Sequence, residues 1–385
     1  MPVEQPFNIY QEQLTSLYHG LALWRPNPVE SIYNQVSIGD VGYISDGVFI
    51  RMFNVTLPWD DQSNRRLAEP ERYDSLIFAS VIRETFGQVD YYSRRVSREE
   101  NAGNTWASSP EQAEGYREDA IRLRMFSDYI RDNADIWFNW SRSVDLPVER
   151  MDDLILVTGC TMVNSWAAAV FDDYNADAQV SLGSKILNNG GASFVWNNIR
   201  GTVEYHDSQL DPSNTFVPQN RCVFIRGFRA KRVLFWTRPM RAAAEPDSDD
   251  SDDPETRRNS EIQANRVPYV AEYPSRDPLS GVLDYIVEKC LEDANDEDII
   301  AIAHDDDLQR IESEDPVRPS QNAGLCPNLT SSVRMKETLT ADAVQKFLRE
   351  NKFSVLIENG AATLQGVGYG LFSHDRNPDT DFRLF

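Results

Sequence analysis

The sequence predicts an α+β protein: a mainly antiparallel β-sheet domain with one long packed helix, followed by a small α/β or α+β C-terminal module. Three observations carry that expectation. Short apolar runs separated by turn residues crowd the stretch after Pro147, and a helical stripe of aromatic residues precedes them. The run Ala244-Glu245-Pro246-Asp247-Ser248-Asp249-Asp250-Ser251-Asp252-Asp253-Pro254-Glu255 can bury nothing and so splits the chain. The expected division is a β-rich main domain over 1–242, an acidic disordered linker over 243–266 and an acidic module over 267–385. With 385 residues, 41% of them hydrophobic, the chain has material for a large core.

Taken in order, Tyr18 to Pro28 reads as a strand or extended arm ended by two prolines. Val36 to Leu57 reads as a β-hairpin turning at Ser45-Asp46-Gly47, where the glycine supplies the positive φ of a tight turn. Pro58 to Glu71 is polar and loop-like. Pro110 to Val144 is expected as one helix with Ser109 as its N-cap. Phe126, Ile130, Ala134 and Trp137 form its apolar stripe, widened by Met125, Tyr129, Ile136 and Trp140, against an outer face of Asp128, Asp132, Asp135, Arg124 and Arg131. Strands are then expected at Leu154–Val157, Val163–Phe171, Ala178–Ile186, Ala192–Trp196, Gly201–Tyr205, Cys222–Ile225 and Arg232–Trp236. Beyond the acidic run, helices are expected at Pro278–Leu291 and, behind a Thr340 cap, at Ala341–Glu350, with strands at Asp298–Ala303 and Phe353–Ile357.

Composition narrows the function classes. No targeting presequence opens the chain and no run of 18 apolar residues occurs, so a soluble intracellular protein is expected. Cys160, Cys222, Cys290 and Cys326 lie far apart without a CxxC pair, which fits buried or idle thiols better than a zinc ribbon or disulfide scaffold. The formal charge of −23 divides into −7 up to Ala242 and −16 beyond it. Such acidity repels phosphate backbones and anionic lipid, so neither nucleic acid nor membrane is expected to bind the intact chain, and a basic protein partner is favoured. In the first part only Lys185 and Lys231 are lysines; arginine supplies the rest of the positive charge, predicting internal Arg–carboxylate pairs.

Candidate chemistry is sparse. His304-Asp305-Asp306-Asp307 follows a predicted strand end, and Asp305, Asp306 and Asp307 are the metal candidates, suited by charge and oxygen donors to Mg²⁺ or Ca²⁺. Their other reading is the first turn of a helix, where carboxylates meet the positive end of the dipole. The spacing has neither the glycine nor the distant glutamate of an EF-hand loop. Gly366-Val367-Gly368-Tyr369-Gly370 lacks the Lys-Ser/Thr of a phosphate loop. Cys160 or Cys222 with His206 has no nucleophile elbow around it, and His19 and His374 stand outside any motif. No catalytic residue and no cofactor-binding residue is therefore assigned.

The segments Tyr18 to Trp24, Ile38 to Ile44, Arg51 to Val55, Glu149 to Gly159 and Phe224 to Arg229 resemble a family of proteins of unknown function from mushroom-forming (basidiomycete) fungi. That resemblance covers most of Met1 to Pro246 and implies no activity. The order of elements from Asp153 to Trp236 is also similar to the pore-forming domain of gasdermins, which implies a cleavable inhibitory tail. Gasdermin pore domains are basic, whereas this first part is acidic.

Three functions compete on these grounds. The first is a non-enzymatic intracellular binding or interaction module, rich in Trp, Tyr and Arg as interface anchors. The alternatives are a tail-restrained, gasdermin-like membrane-perforating effector and a cation-dependent hydrolase using Asp305 to Asp307.

Overall fold

The computed structural model describes residues 5–15, 18–26, 35–64, 67–77, 80–86, 115–163, 166–171, 179–186, 192–200, 202–207, 221–233, 277–293, 299–313 and 340–365. Along the chain run α1 (Pro6–Thr15), β1 (Leu21–Ala22), β2 (Asp40–Ser45), β3 (Val48–Asn54), β4 (Val81–Phe86), β5 (Gly115–Ala120) and α2 (Leu123–Ser143). These are followed by β6 (Ile155–Val163), β7 (Ala167–Phe171), β8 (Gln179–Ile186), β9 (Ala192–Arg200), β10 (Thr202–Asp207) and β11 (Arg221–Arg232). The rest is α3 (Pro278–Asp293), β12 (Ile300–His304), α4 (Asp305–Ser313), α5 (Ala341–Glu350), β13 (Val355–Glu358) and β14 (Ala361–Leu364). The class is α+β.

The antiparallel pair β6–β11 is the spine of a sheet with ten strands among the described residues. Each spine strand is long enough to take two neighbours end to end on its outer edge. β6 pairs with β2 at Ile155 and Leu156 and with β5 from Gly159 to Val163. β11 pairs with β1 at Phe224 and Ile225 and with β12 from Phe228 to Arg232. The sheet then extends from β2 to β3, from β5 to β4, and from β12 through parallel β14 to β13. β7–β10 and β8–β9 form two separate antiparallel pairs.

The hairpin β2–β3 turns as expected at Asp46 and Gly47, both with positive φ. One long helix is indeed packed on the sheet, but it begins at Leu123 rather than near Pro110. Residues 115–120, expected as helix, form β5, because Gly115 to Ala120 pair with both β4 and β6. Two ladders and the cross-strand Arg83–Glu118 pair outweigh the local helix preference of Arg-Glu-Asp-Ala. Ser109 and Pro110 lie outside the described residues.

From Leu123 onward the stripe is as the periodicity predicts: Phe126, Ile130, Ala134, Trp137 and Trp140 are buried, and Asp128 and Asp132 are exposed. The buried face packs on Leu156, Phe228, Ala230 and Ile302 of the spine and its neighbour. Phe53 sits at its centre with ring centroids 5.8 Å from Trp137 and 5.4 Å from Trp140, both edge-on. Each such pair adds about 0.5–1.5 kcal/mol beyond the area it buries.

Helix α3 also buries the side its sequence pattern assigns, with Leu279, Val282, Leu283, Ile286 and Cys290 against β12 and α5. Gly281 permits the close crossing of α3 and α5: a Cβ there would lie 2.2 Å from the Ala341 carbonyl oxygen. Thr340 caps α5, accepting from the Ala343 N–H at 3.2 Å. The expected linker, 243–266, lies outside the described residues, but the residues on its two sides share one sheet. Five residue pairs join β11 to β12, and Lys231 of β11 meets Asp284 of α3 at 2.6 Å. Among the described residues no helix is long and apolar enough to cross a membrane.

Candidate functional site

The metal candidates sit where strand β12 turns into α4, in the first turn of that helix. Their carboxylates are directed to different partners. Asp307 Oδ2 accepts from the His304 N–H at 2.8 Å, and Asp305 Oδ2 accepts from the Gly227 N–H, also at 2.8 Å. Asp306 stands 3.5 Å from the His304 ring, whose Nδ1 accepts from the Asp306 N–H at 3.1 Å. Desolvation raises the pKa of Asp305 despite the pull of His304 and Arg229. His304 Nε2 and Thr158 Oγ1 lie within hydrogen-bond distance, 2.8 Å apart. The corner thus ties α4 to β11 and β6. Among the described residues no group of three or more His, Cys, Asp or Glu is placed to hold a metal ion.

Arg226 is the most heavily bonded side chain of the spine. Its Nε donates to Asp119 Oδ1 at 2.6 Å. Nη1 reaches the His19 carbonyl at 3.1 Å and Thr161 Oγ1 at 3.3 Å, and Nη2 reaches the carbonyls of Glu118 at 3.1 Å and Cys160 at 3.4 Å. One guanidinium therefore links the lead-in to β1 with β5, β6 and β11. Gly159 makes the room: a Cβ there would lie 2.3 Å from Asp119 Oδ1 and 2.8 Å from Arg226 Nε. His19, beside this cation, has its pKa lowered to about 4 by burial and by the positive charges of Arg117 and Arg226.

Three residues further along β11, Arg229 borders a cleft of about 340 Å³. The cleft lies between α1, the β2–β3 turn, the segment from Pro147 to Ile155 and the start of α3. Asp277, the residue before α3, pairs with Arg229 and accepts from the Leu279 N–H at 3.1 Å, so one carboxylate both holds the arginine and caps the helix. Opposite, a single 3₁₀ turn at Met151–Asp153 carries two acids. Asp153 accepts from the Arg150 N–H at 2.8 Å, and Arg150 Nη2 lies 3.3 Å from Asp153 and 3.4 Å from Asp152.

The Asp152 side chain is 2% exposed, and its Oδ2 is held by Arg150 Nη2 in an ion pair at 3.4 Å. Desolvation raises its pKa against the attraction of Arg150, Lys231 and Arg229. For Arg229, burial lowers the pKa against the pull of Asp305, Asp152 and Asp153.

The expected Arg–carboxylate pairs are present at Arg51–Asp40, Arg226–Asp119 and Arg229–Asp277. Cys160, Cys222 and Cys290 are buried and outside any disulfide, and burial pushes the Cys160 thiol up to about 12, far from the thiolate a nucleophile needs. Gly366 to Gly370, Cys326 and His374 lie outside the described residues. No protein-family model, curated protein or solved structure matches the chain.

Sequence reasoning singled out the acids at 305–307 but not the cleft. Its signal was present in Glu149-Arg150-Met151-Asp152-Asp153, where oppositely charged residues crowd the entry to a fully buried strand. Which acids face one another across it depends on Arg229 and Asp277, which a pattern along the chain does not connect.

Proposed function

We propose that this protein is a non-enzymatic intracellular interaction module that takes a basic protein partner. The observation that supports this best is the acid-rich cleft, lined by five carboxylates and two guanidiniums, in a chain of net charge −23. Acidic surroundings draw cationic segments and lower their escape rate at low salt. The resemblance of the sequence to basidiomycete proteins of unknown function is compatible with this reading and adds no activity to it.

The test is titration of the full chain with a fluorescent Arg-rich peptide, a Glu-rich peptide of equal length, and vesicles of neutral and anionic lipid. The expected result is binding of the basic peptide alone, weakening as salt rises toward 0.3 M. Equal binding of both peptides, or of neither, would end the proposal.

The gasdermin-like alternative requires release of the second part. That release would strip β12 from β11, uncovering the spine edge from Phe228 to Arg232 and the apolar side of α3. Cutting the full chain within 243–266 decides between the readings. The interaction reading expects the two pieces to co-elute without releasing dye from anionic vesicles; leakage after cutting would favour the effector.

A further inference from the structure

We infer that β4 pairs edge to edge, antiparallel, with β4 of a second copy of this chain about a twofold axis through Ile82. This goes beyond the interaction reading and does not depend on the cleft. Among the described residues β4 ends the sheet: Val81 to Phe86 pair with Ala120 to Gly115 of β5 and with no other strand. Its first five residues are exposed, so Val81 with Arg83 on one side of the strand and Ile82 with Glu84 on the other all reach the surface. Six large apolar side chains are exposed among the described residues, and four of them belong to β4 or the segments flanking it: Ile77 at 87%, Val81 at 46%, Ile82 at 52% and Ile121 at 44%. The Ser80 carbonyl accepts from the Ile121 N–H at 3.3 Å, which sets Ile121 beside the start of β4. An end strand with apolar residues on both sides is a template for one more strand.

Charge and register select a second copy as that strand. Two chains of net charge −23 repel each other, so they meet only where charge is locally cancelled. This corner is such a place: over 81–86 and 115–122, Arg83, Arg117 and Arg122 balance Glu84, Glu118 and Asp119. A basic partner finds no surplus of negative charge here. Residues directly opposite in an antiparallel pair share a side of the sheet, so the twofold axis passes between two residues of the same number. An axis at Arg83 or Glu84 would set like charges face to face, which is destabilising. An axis at Ile82 sets Ile82 against Ile82, Val81 against Arg83 and Ser80 against Glu84. Arg83 suits that register, because its Nε donates to Glu118 of β5 at 2.7 Å and its guanidinium lies 4.4 Å from the Tyr116 ring centroid. Its charge is therefore turned toward β5 and away from the open edge, leaving the methylene stem to lie along Val81 of the other copy.

The test is sedimentation equilibrium of the full chain from about 1 to 100 µM, where mass action should carry the average mass from one chain toward two. Ile82→Lys places two ammonium groups across the axis and should keep the mass of a single chain throughout, with an unchanged circular dichroism spectrum. Ile357→Lys, on the exposed strand β13 at another end of the sheet, should dimerise like the unaltered chain. Register is read by oxidation with copper phenanthroline in air, the unaltered chain serving as baseline. Ile82→Cys should form a disulfide-linked dimer, since residues directly opposite bring their Cβ atoms to about 4.5–5.5 Å. Glu84→Cys should not, since its two copies stand four residues, about 13 Å, apart along the strands. A single-chain mass at every concentration, dimers of Ile82→Lys, loss of the dimer in Ile357→Lys, or linking through Glu84→Cys in place of Ile82→Cys would overturn the assignment. The unaltered chain and the cysteine variants decide it even if Ile82→Lys fails to fold. None of these outcomes bears on the basic-peptide titration, so the two proposals stand or fall separately.

Discussion

Arg226 and Arg229 stand three residues apart on β11, both almost wholly buried at 2% and 7% exposure, yet they meet different surroundings. Arg226 donates to five oxygens drawn from segments separated by up to 207 residues of chain. Arg229 pairs with Asp277 beside a cleft whose wall also carries the ion pairs of Arg150 with Asp152 and Asp153. A buried charge whose bonds are all supplied internally is architecture, because any ligand would have to break one of them. Arg229, paired with one carboxylate at the edge of a cleft, joins β11 to the residue that precedes α3. The same residue type on the same strand thus stands in two settings, separated by how many segments each guanidinium joins.

The strongest way to break that contrast is to remove the architectural cation. Arg226→Met should destabilise the protein by about 3–5 kcal/mol in urea unfolding, because it leaves several buried acceptors without donors. A loss below about 1 kcal/mol would mean the network contributes little and that Arg226 differs from Arg229 only in geometry. Gly159→Ala attacks the same network without removing a charge, through a Cβ forced against Asp119 and Arg226. Its expected cost is about 1–3 kcal/mol, that of overpacking a filled site.

Acidification should separate the ends of the sheet. His19 has a pKa near 4, below the ordinary 6.5, so its neutral form contributes stability present above pH 6.5 and lost as pH falls toward 4. Asp40, beside the cleft-lining hairpin, is pushed the other way, to about 6 from 3.8, by burial that outweighs Arg51, the Ser37 N–H and Asn54. Its folded form binds an extra proton between pH 3.8 and 6, so its contribution improves as pH falls through 6. Hydrogen exchange at pH 7 and pH 5 should therefore show β1 and the N-terminal half of β11 loosening while β2–β3 tightens, each by an amount on the order of 1 kcal/mol. His19→Gln should abolish the loosening, since the His19 carbonyl that serves Arg226 remains. Loosening of both ends together would refute the opposed titrations.

Much of this layout could be read along the chain. The α2 stripe, the Asp46-Gly47 turn, the Thr340 cap and the inner side of α3 each follow from local spacing, and each is where spacing puts it. What local spacing misses is determined by partners far away. β5 has helix-forming residues and becomes a strand because two ladders take it. β14 was not anticipated, since Ala361 to Leu364 is short and acquires its role only beside β12. The acids at 305–307 stand out in sequence because they are contiguous, whereas Asp152 and Asp277 lie 125 residues apart and meet only in the fold. Contiguity makes acids conspicuous along the chain, whereas the cleft wall is assembled from separate segments.

The smallest expected effect tests the cleft most directly. Asp152→Asn keeps the size of the side chain and removes its charge. If Asp152 were architectural like Asp119, losing that charge would leave Arg150 and Arg229 poorly compensated and the protein clearly weaker. Its raised pKa argues the opposite: burial costs the carboxylate more than Arg150, Lys231 and Arg229 return. By linkage, a carboxyl that holds its proton more tightly folded than unfolded makes its ionised form a net burden at neutral pH. Asp152→Asn should therefore leave stability at pH 7 unchanged or raise it by up to about 1 kcal/mol, with the gain fading as the pH falls and the wild-type carboxyl takes up its proton. A gain in stability would mark Asp152 as a charge the fold carries at a cost. A loss of several kcal/mol would place Asp152 with Arg226, among the groups that hold the sheet together.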